Sequence, residues 1–284
     1  MILISGYQAR ELLRGMKKGV KELEASLDLG LTKSKVSFEE DAVLLSDRQA
    51  IGLTTLEKMS KELSDCFYLE KNQAYRIQCY SEHSRKFLKL YATGLKTAPT
   101  VSVSGIRMHQ TKSMNPIEDT LAKVEPIKRL GVALDTCTGL GYTAIYARRG
   151  GARRVVTVEI DPIMIEIAML NPWSSQLFED EYIERKQGDV SVLVGELEDN
   201  SFDSVIHDPP RLSLAGALYS SDFYRELYRV MKPNGRLFHY VGDPGGRYRS
   251  RRVDTGVKKR LLEAGFCKVE KCVKAQGLRA FKKE

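Results

Sequence analysis

From Val132 onward, short apolar runs alternate with amphipathic stretches along the chain. This alternation is typical of a parallel sheet covered by helices on both faces. The runs predict strands at Val132–Asp135, Val155–Ile160, Ile183–Asp189, Ser204–Asp208 and Arg236–Gly242. The intervening stretches predict helices at Tyr142–Arg149, at Pro162–Leu170, just after Val190, at Asp222–Met231 and at about Thr255–Ala264.

The carboxyl-terminal pattern predicts a hairpin. Lys268–Lys274 and Leu278–Lys282 alternate as strands around the turn Ala275-Gln276-Gly277. Two strands joined so tightly must be antiparallel, because a parallel pair needs a crossover of a dozen or more residues. We therefore expect an α/β fold with a mostly parallel, Rossmann-like sheet that an antiparallel hairpin closes.

Residues 1 to about 100 have a different pattern. We expect two helices, Tyr7–Lys21 and Arg48–Leu63, among strands near Lys35–Leu45, Phe67–Lys71, Tyr75–Tyr80 and Phe87–Tyr91. A chain of 284 residues suits two domains. The sequence therefore predicts a small α+β accessory or substrate-recognition domain at 1–100 and a larger domain at 101–284, which begins with the linking segment Val101–Lys123.

Charge and composition narrow the class of protein. The net charge is +8, and part of the positive excess lies between Arg247 and Arg260. Such a charge favours a polyanionic partner. The amino terminus lacks a signal-like apolar run, so we expect a cytoplasmic protein without a membrane segment. The five cysteines lack metal-ligand spacing, so we expect no metal site.

A glycine-rich segment between the first predicted strand and helix of the larger domain indicates a cofactor site. It reads Asp135-Thr136-Cys137-Thr138-Gly139-Leu140-Gly141-Tyr142. Glycines let the backbone approach a ligand closely, and the helix that follows offers unpaired N–H groups. By itself, Gly139-x-Gly141-x-x-Ala144 also satisfies the dinucleotide fingerprint.

Acidic residues at three strand ends favour S-adenosylmethionine as the cofactor. Asp135 suits the ammonium of a methionine moiety and would repel a pyrophosphate. Glu159, followed by Ile160, suits the two ribose hydroxyls, and Asp189, followed by Val190, suits the adenine amino group. Each acid alone could instead be a helix cap or turn residue, but three in succession favour a ligand.

The fourth predicted strand ends in His207-Asp208-Pro209-Pro210-Arg211, where such sheets bind ligands. An aromatic amine is a poor nucleophile because its lone pair is delocalised into the ring. The Asp208 carboxylate and the Pro209 carbonyl could accept its two N–H groups and stabilise the positive charge that develops on nitrogen. We therefore expect the catalytic turn at Asp208, Pro209, Pro210 and Arg211.

This turn resembles the Asn/Asp-Pro-Pro-aromatic signature of amino-group methyltransferases. Together with Asp135–Ala144 and Phe238-His-Tyr-Val-Gly, it resembles an archaeal family of class I, Rossmann-fold methyltransferases. The resemblance covers residues from about 100 to the carboxyl end. It implies S-adenosylmethionine-dependent methylation of an exocyclic amino group, with cytidine N4 in ribosomal RNA favoured, and implies RNA or a ribosomal subunit as the partner.

Two residues depart from that pattern. Cys137 replaces the usual first glycine of the loop, and Arg211 replaces the aromatic residue that stacks on the base. The target base must then stack on the planar Arg211 guanidinium or on an aromatic ring elsewhere in the chain. The candidate rings are Tyr219, Phe223 and Tyr240. Further candidates for contact with the substrate are His109, His207, Arg249, Arg251 and Arg252.

Two other functions stay open at this point. Aminopropyl transfer to a polyamine uses the same fold and a related cofactor, although Arg211 would repel a polycation. A non-catalytic RNA-binding or ribosome-assembly factor could keep the fold as a scaffold, but a scaffold needs none of the carboxylates at 135, 159 and 208.

The basic cluster generates a first prediction. Replacing Arg249, Arg251 and Arg252 by alanine should weaken RNA binding and flatten its dependence on salt, because fewer counterions are released. Binding titrations at several salt concentrations measure both effects. An unchanged salt slope in the triple variant would assign the cluster to an ordinary solvated surface.

Overall fold

The computed structural model describes residues 1–45, 49–242 and 247–284, without the side chains of 247–252. The chain folds into two compact units. The first consists of Met1–Ile117 with Glu166–Trp173, and the second of Glu118–Ile165 with Ser174–Glu284. The first unit thus includes residues 101–117, which the sequence places in the second domain.

In its described residues, the first unit is a small α+β assembly of short strands, two complete helices and the second half of a third. Its elements are β1 (Ile2–Ser5), α1 (Gly6–Lys17), β2 (Glu22–Ala25), β3 (Ser34–Phe38), β4 (Ala42–Leu44), β5 (Ala50–Gly52), α2 (Leu53–Lys61), β6 (Cys66–Glu70), β7 (Gln73–Arg76), β8 (Gln78–Ser81), β9 (Lys86–Tyr91), β10 (Thr100–Val103) and β11 (Ile106–Arg107). Helix α3 (Pro116–Val124) follows.

Three antiparallel sheets make up this unit, with strand orders β1-β6-β7, β2-β3-β4-β5 and β11-β10-β9-β8. A capping box starts α1, in which the Ser5 amide donates to Gln8 Oε1 at 2.8 Å. The core packs the inner faces of α1 and α2, including Leu12 and Leu56, against strand residues such as Ile4 and Ile51.

Three predicted elements differ from the structure here. The strand predicted near Lys35–Leu45 is a hairpin of two strands, β3 and β4, in which Phe38 pairs with Val43. The helix predicted at Arg48–Leu63 begins only at Leu53, because residues 50–52 form β5 and Ile51 pairs with Val43; Arg48 itself lies outside the described residues. The strand predicted at Tyr75–Tyr80 is divided between β7 and β8 at the buried Ile77.

The second unit alternates strands and helices as the sequence predicts. Its elements are β12 (Val132–Asp135), α4 (Tyr142–Arg149), β13 (Arg154–Glu159), α5 (Pro162–Leu170), α6 (Ser175–Glu179), β14 (Ile183–Gln187), α7 (Val190–Leu193), β15 (Phe202–His207), α8 (Ser221–Val230), β16 (Met231–Tyr240), α9 (Arg247–Glu263), β17 (Cys267–Cys272) and β18 (Gly277–Phe281). The second half of α5 groups with the first unit.

A seven-stranded sheet with the order β14-β13-β12-β15-β16-β18-β17 organises this unit. The pairs among β14, β13, β12, β15 and β16 are parallel, whereas β18 pairs antiparallel with both β16 and β17. The order reverses between β12 and β15, where open α/β sheets bind ligands. The predicted Rossmann-like sheet with its closing hairpin is confirmed.

Two boundaries in this unit differ from the predicted ones by several residues. The strand predicted at Arg236–Gly242 begins at Met231, because β16 includes Lys232–Gly235, where Asn234 has a left-handed φ of 62° and the pairing with β15 is irregular between Phe202 and Ser204. Helix α9 begins at Arg247, earlier than the predicted Thr255.

Apolar residues of the strands and of the amphipathic helices form the core of this unit. Leu134, Val156 and Val205 lie on its central strands, and α8 buries Phe223 and Leu227. Burial of this kind fixes the register of the strands and so the positions of their carboxyl ends. No helix in the described part of the chain is long and apolar enough to span a membrane.

Gly141 generates a prediction of stability. Its φ is +76°, and a Cβ there would lie 2.6 Å from Leu177 Cδ2. Gly151 is the matched control, because its φ is +97° but no atom lies within 4 Å of the added Cβ. Gly151→Ala should lower the free energy of unfolding by roughly 1–2 kcal/mol, because alanine is strained in the left-handed region. Gly141→Ala should lower it by about 1–3 kcal/mol more, because its Cβ also clashes with Leu177.

Chemical denaturation of the two variants measures both free energies. Equal losses of stability would contradict close packing of Gly141 against Leu177.

Candidate active site

Asp135 lies at the carboxyl end of β12 and is fully buried. Its Oδ2 accepts from the Thr157 hydroxyl at 2.7 Å, and Thr157 in turn contacts the Thr138 hydroxyl at 2.7 Å. Its Oδ1 has no hydrogen-bond partner among the described residues. A buried carboxylate oxygen requires a donor, and the ammonium of a methionine moiety is a donor of the right charge. The residues present thus fit that part of the predicted cofactor.

Burial dominates the ionisation of Asp135. It raises the pKa of this carboxyl to about 7, against the neighbouring hydroxyls of Thr157 and Thr143, which lower it. A neighbouring cation favours the charged form of a carboxyl. Binding of an ammonium group should therefore be coupled to loss of a proton from Asp135.

The glycine loop is held by backbone hydrogen bonds. The Thr136 amide donates to Ile206 O at 3.0 Å, the Thr138 amide to Val158 O at 2.9 Å, and the Gly141 amide to Thr138 O at 2.7 Å. Gly139 has a left-handed φ of 53°, which favours glycine. Cys137 lies partly buried in the loop, and burial raises the pKa of its thiol, so that it stays protonated. Tyr142 is buried at the start of α4.

Glu159 ends β13 and caps three backbone N–H groups. Its Oε2 accepts from Gly139 at 2.8 Å, and its Oε1 accepts from Ile160 at 3.1 Å and from Asp161 at 3.0 Å. Burial raises the pKa of this carboxyl, while these backbone bonds lower it. An ionised carboxylate has about four acceptor positions. One is left for a ribose hydroxyl, and the second hydroxyl would have to displace a backbone bond.

The third predicted acid lies at a helix start. Asp189 caps α7 through Oδ1, which accepts from the Ser191 amide at 2.8 Å and the Ser191 hydroxyl at 2.7 Å. Because Oδ1 already accepts these two hydrogen bonds, the predicted contact with the adenine amino group would use Oδ2. Ile160 is partly exposed and Val190 is buried, so Ile160 is the better placed of the two for apolar contact with a ligand.

Asp208 follows β15 directly and is only partly exposed. Pro209 is buried and Pro210 is exposed. The Tyr219 hydroxyl donates to the Pro210 carbonyl at 3.0 Å. This bond and the fixed φ of the two prolines hold the turn in one conformation.

A buried lysine that the sequence patterns do not predict contacts Asp208. Lys123 Nζ, on α3, donates to Asp208 Oδ2 at 2.6 Å and lies 2.9 Å from Asp119 Oδ2. The Lys123 ammonium also lies 4.6 Å from the centre of the Tyr240 ring. We call Asp119, Lys123 and Asp208 the buried triad. Its side chains are 0%, 2% and 18% exposed, respectively.

The buried triad combines two acids with one base. Burial lowers the pKa of Lys123, but Asp208 and then Asp119 raise it by more, so the ammonium stays charged. Burial raises the pKa of Asp208, against Lys123, which lowers it. Removing one partner from a buried ion pair leaves an uncompensated charge. Lys123 is therefore what permits an ionised Asp208 in this environment.

His207 is a buried histidine whose two ring nitrogens both have protein partners. Nδ1 contacts the Thr136 hydroxyl at 2.7 Å, and Nε2 contacts Leu218 O at 2.9 Å. Burial lowers its pKa to about 4, so it is neutral. His207 thus ties the glycine loop to the segment after the Asp-Pro-Pro turn.

The rings considered for stacking differ in accessibility. Tyr219 and Phe223 are buried around His207, whereas Tyr240 is partly exposed beside Lys123. Arg211 is exposed. Tyr240 and Arg211 are therefore the better placed candidates for a face that a base could cover.

The remaining candidates are His109 and three arginines of α9. His109 belongs to the first unit, where its Nδ1 contacts the Thr100 hydroxyl at 2.8 Å. The side chains of Arg249, Arg251 and Arg252 lie outside the described residues. No group of three metal-ligating side chains occurs among the residues that the structure describes.

Comparison with known proteins supports the assignment of the second unit as a methyltransferase domain. Residues 134–239 match the family model described as "Methyltransferase domain". The matched segment contains the glycine loop, Glu159, Asp189 and the Asp-Pro-Pro turn. The match supports S-adenosylmethionine as the cofactor, as the three strand-end acids predict.

The whole chain also has a relative in an archaeon. It is 39% identical over 287 residues to "Uncharacterized protein MJ1233" of Methanocaldococcus jannaschii, covering 99% of this chain and 96% of the relative. The chain belongs to the family of this archaeal protein. The similarity extends over both units.

More distant similarity points to a second group of proteins. A polyamine aminopropyltransferase of Sulfolobus acidocaldarius is 33% identical over 101 residues, which cover 34% of this chain and 33% of that protein. The structure of spermidine synthase from Thermotoga maritima superposes with a TM-score of 0.56 at 16% identity, covering 76% of this chain and 78% of that one. The latter likeness shows that the fold is shared.

The sequence carries only a weak signal for the buried triad. Asp119 and Lys123 have the i,i+4 spacing of a helical ion pair, which is usually exposed. Their segment has the pattern of a linker. The approach of Lys123 to Asp208 joins residues far apart in the chain, so spacing alone could not predict it.

Asp135 generates a prediction of pH dependence. Its pKa is raised from 3.8 to about 7 in the folded protein, so the unfolded chain loses this proton first as the pH rises. The contribution of the Asp135 carboxyl to the free energy of unfolding therefore decreases as the pH rises from 3.8 to about 7, and it stays low above pH 7. Asp135→Asn removes this loss and should stabilise the ligand-free protein at pH 8 by up to about 4 kcal/mol, while weakening S-adenosylmethionine binding.

Denaturation at several pH values and calorimetric titration with S-adenosylmethionine measure the two effects. A variant that binds the cofactor like the wild type would contradict the role assigned to Asp135. A stability difference that does not change with pH would contradict its raised pKa.

Proposed function

We propose that this protein transfers the methyl group of S-adenosylmethionine to the exocyclic amino group of a nucleobase in RNA, with cytidine N4 in ribosomal RNA the favoured target. The observation that carries the proposal is the position of Asp208-Pro209-Pro210. This turn follows β15, the strand next to β12 and its buried Asp135. This position supports the proposal, because it brings a carboxylate and a carbonyl to the edge of the sheet that holds the acids predicted to bind the cofactor.

The cofactor supplies an electrophilic methyl group on a sulfonium. In our proposal, Asp208 Oδ1 accepts one N–H of the target amine and the Pro209 carbonyl accepts the other, which holds the nitrogen lone pair toward the methyl group. Lys123 holds Oδ2 at 2.6 Å. Because the carboxylate is already oriented, little reorganisation is needed as positive charge develops on nitrogen.

The proton balance follows from the same contacts. A new N–C bond forms as the S–C bond breaks, and the methylated nitrogen must lose one proton to become neutral. Asp208 can accept this proton through Oδ1 and pass it to solvent, since its side chain is partly exposed. Lys123 keeps its own proton, because its pKa is raised by the two carboxylates.

RNA as the substrate is supported by charge. The chain carries +8 overall, and Arg211 lies exposed directly after the Asp-Pro-Pro turn. A polyanion is attracted to such a surface, and a guanidinium can stack on a base as well as contact phosphate.

Aminopropyl transfer to an amine is the second candidate. It is favoured by the similarity to polyamine aminopropyltransferases over about a third of the chain and by a carboxylate, Asp119, beside Asp208. The charge of Lys123 offsets one of these two carboxylates, however, and Arg211 would repel a polycation. Parallel assays with S-adenosylmethionine plus RNA and with decarboxylated S-adenosylmethionine plus putrescine distinguish the two reactions.

Asp208 generates the catalytic prediction. Asp208→Ala should reduce methyl transfer to RNA about a hundredfold or more, the scale expected when one preorganised electrostatic partner is lost. Asp208→Asn should be impaired less, because its amide oxygen still accepts a hydrogen bond. Both variants should bind S-adenosylmethionine nearly as well as the wild type, which calorimetry checks.

Mass spectrometry of nucleosides from the treated RNA identifies the product. We expect N4-methylcytidine or N4,N4-dimethylcytidine. A 2′-O-methyl or C5-methyl product, or full activity in Asp208→Ala, would refute the mechanism.

A further inference from the structure

The outer face of the sheet β11-β10-β9-β8 in the first unit carries exposed aromatic and basic side chains. We propose that this face binds single-stranded RNA by stacking bases on its rings and pairing phosphates with its cations. We call it the aromatic face and define it by Gln78, Tyr80, Phe87, Lys89, Tyr91 and Arg107. The inference rests on the proposed function only in taking RNA as the partner.

Strand register places these residues on one side of the sheet. Residues directly opposite each other in an antiparallel pair share a face, and Tyr80 pairs with Phe87, Gln78 with Lys89, and Ser102 with both Lys89 and Arg107. The opposite side carries Leu88, Leu90 and Val101, which are fully buried. The opposite side therefore faces the core in the middle of the sheet. On the aromatic side, Thr100 and Ser102 of β10 are also buried, so the exposed part of the aromatic face lies along β8, the first half of β9 and Arg107.

Two rings of the aromatic face are open to solvent. Phe87 is 63% exposed and Tyr80 is 40% exposed. Their centroids lie 5.0 Å apart at an interplanar angle of 60°, so the rings touch without covering each other's faces. A ring face left open in this way can take a base, and such stacking tolerates any base because every base has a π-face.

A cation stacks on a third ring of the same face. The Arg107 guanidinium lies over Tyr91, 5.5 Å from the ring centre, and Arg107 is exposed. This contact keeps the long side chain flat against the sheet and its N–H groups available at the surface. It places a hydrogen-bond donor for phosphate on the same face as the open rings, two strands from Phe87.

The charge of this segment points to a polyanion. Between residues 71 and 112 the chain has eight lysine and arginine residues and one acidic residue, Glu82. Lys89 and Arg76 both pair with the buried Asp65, each at 2.6 Å. Two positive charges thus surround this single carboxylate, and the local net charge stays positive. Unbalanced positive charge beside open rings favours single-stranded RNA over an apolar protein partner, and over a duplex, whose base faces are hidden.

The test uses the full-length protein and a fluorescein-labelled single-stranded oligouridylate about ten nucleotides long, with binding followed by anisotropy. Phe87→Ala combined with Tyr80→Ala should weaken binding about tenfold or more, with little change in the salt slope. Arg107→Gln should weaken binding and flatten that slope. Phe87→Trp should bind at least as well as the wild type, since it keeps a stacking surface.

Tyr182→Ala is the matched control. Tyr182 is 51% exposed, and the centre of its ring lies 4.9 Å from Arg148 Cζ. It belongs to the second unit and comes directly before β14, so it is not part of the aromatic face. This variant should bind RNA like the wild type. All variants should keep the wild-type melting temperature and affinity for S-adenosylmethionine.

Other outcomes separate this inference from the proposed function. Unchanged RNA affinity in the Tyr80/Phe87 double variant overturns the inference, as does a change only in the molecular mass in solution, which would make the face a contact between copies of the chain. RNA binding that needs Phe87, in a wild type that does not methylate RNA, would support the inference and refute the proposed function.

Discussion

The second unit depends on how carboxylates are buried at one edge of a parallel sheet. Burying a charged carboxylate costs free energy unless a hydrogen bond or a cation compensates it. Asp135 and Asp208 lie at the ends of neighbouring strands and are compensated differently. Asp208 has a permanent cation in Lys123, whereas Asp135 has a hydroxyl on one oxygen and no partner on the other among the described residues.

This difference assigns the two acids to different tasks. An acid that lacks a cation and whose pKa is raised to about 7 is suited to bind a cationic group, since the ligand supplies the missing charge. An acid held by a lysine is suited to chemistry, because its orientation and charge do not depend on the ligand. Glu159 represents a third arrangement, in which backbone N–H groups occupy most of the carboxylate.

Local patterns predicted much of the fold and the identity of the strand-end acids. Helices α4 and α5 have the predicted bounds, and the antiparallel hairpin follows from its short turn. Burial and long-range contact were not predictable. Tyr219 and Phe223 are candidates for stacking in the sequence but lie in the core, because the segment after the Asp-Pro-Pro turn folds back over His207. Lys123 lies in a segment that reads as a linker, and only the tertiary fold brings it to Asp208.

A crystal structure with S-adenosylhomocysteine, the product of methyl transfer, tests the central claim most directly. The account predicts that the ligand's ammonium donates to Asp135 Oδ1, that its ribose contacts Glu159, and that its sulfur faces the Asp208-Pro209-Pro210 turn, with Lys123 still bound to Asp208. A ligand bound elsewhere, or one whose sulfur faces away from Asp208, would contradict it.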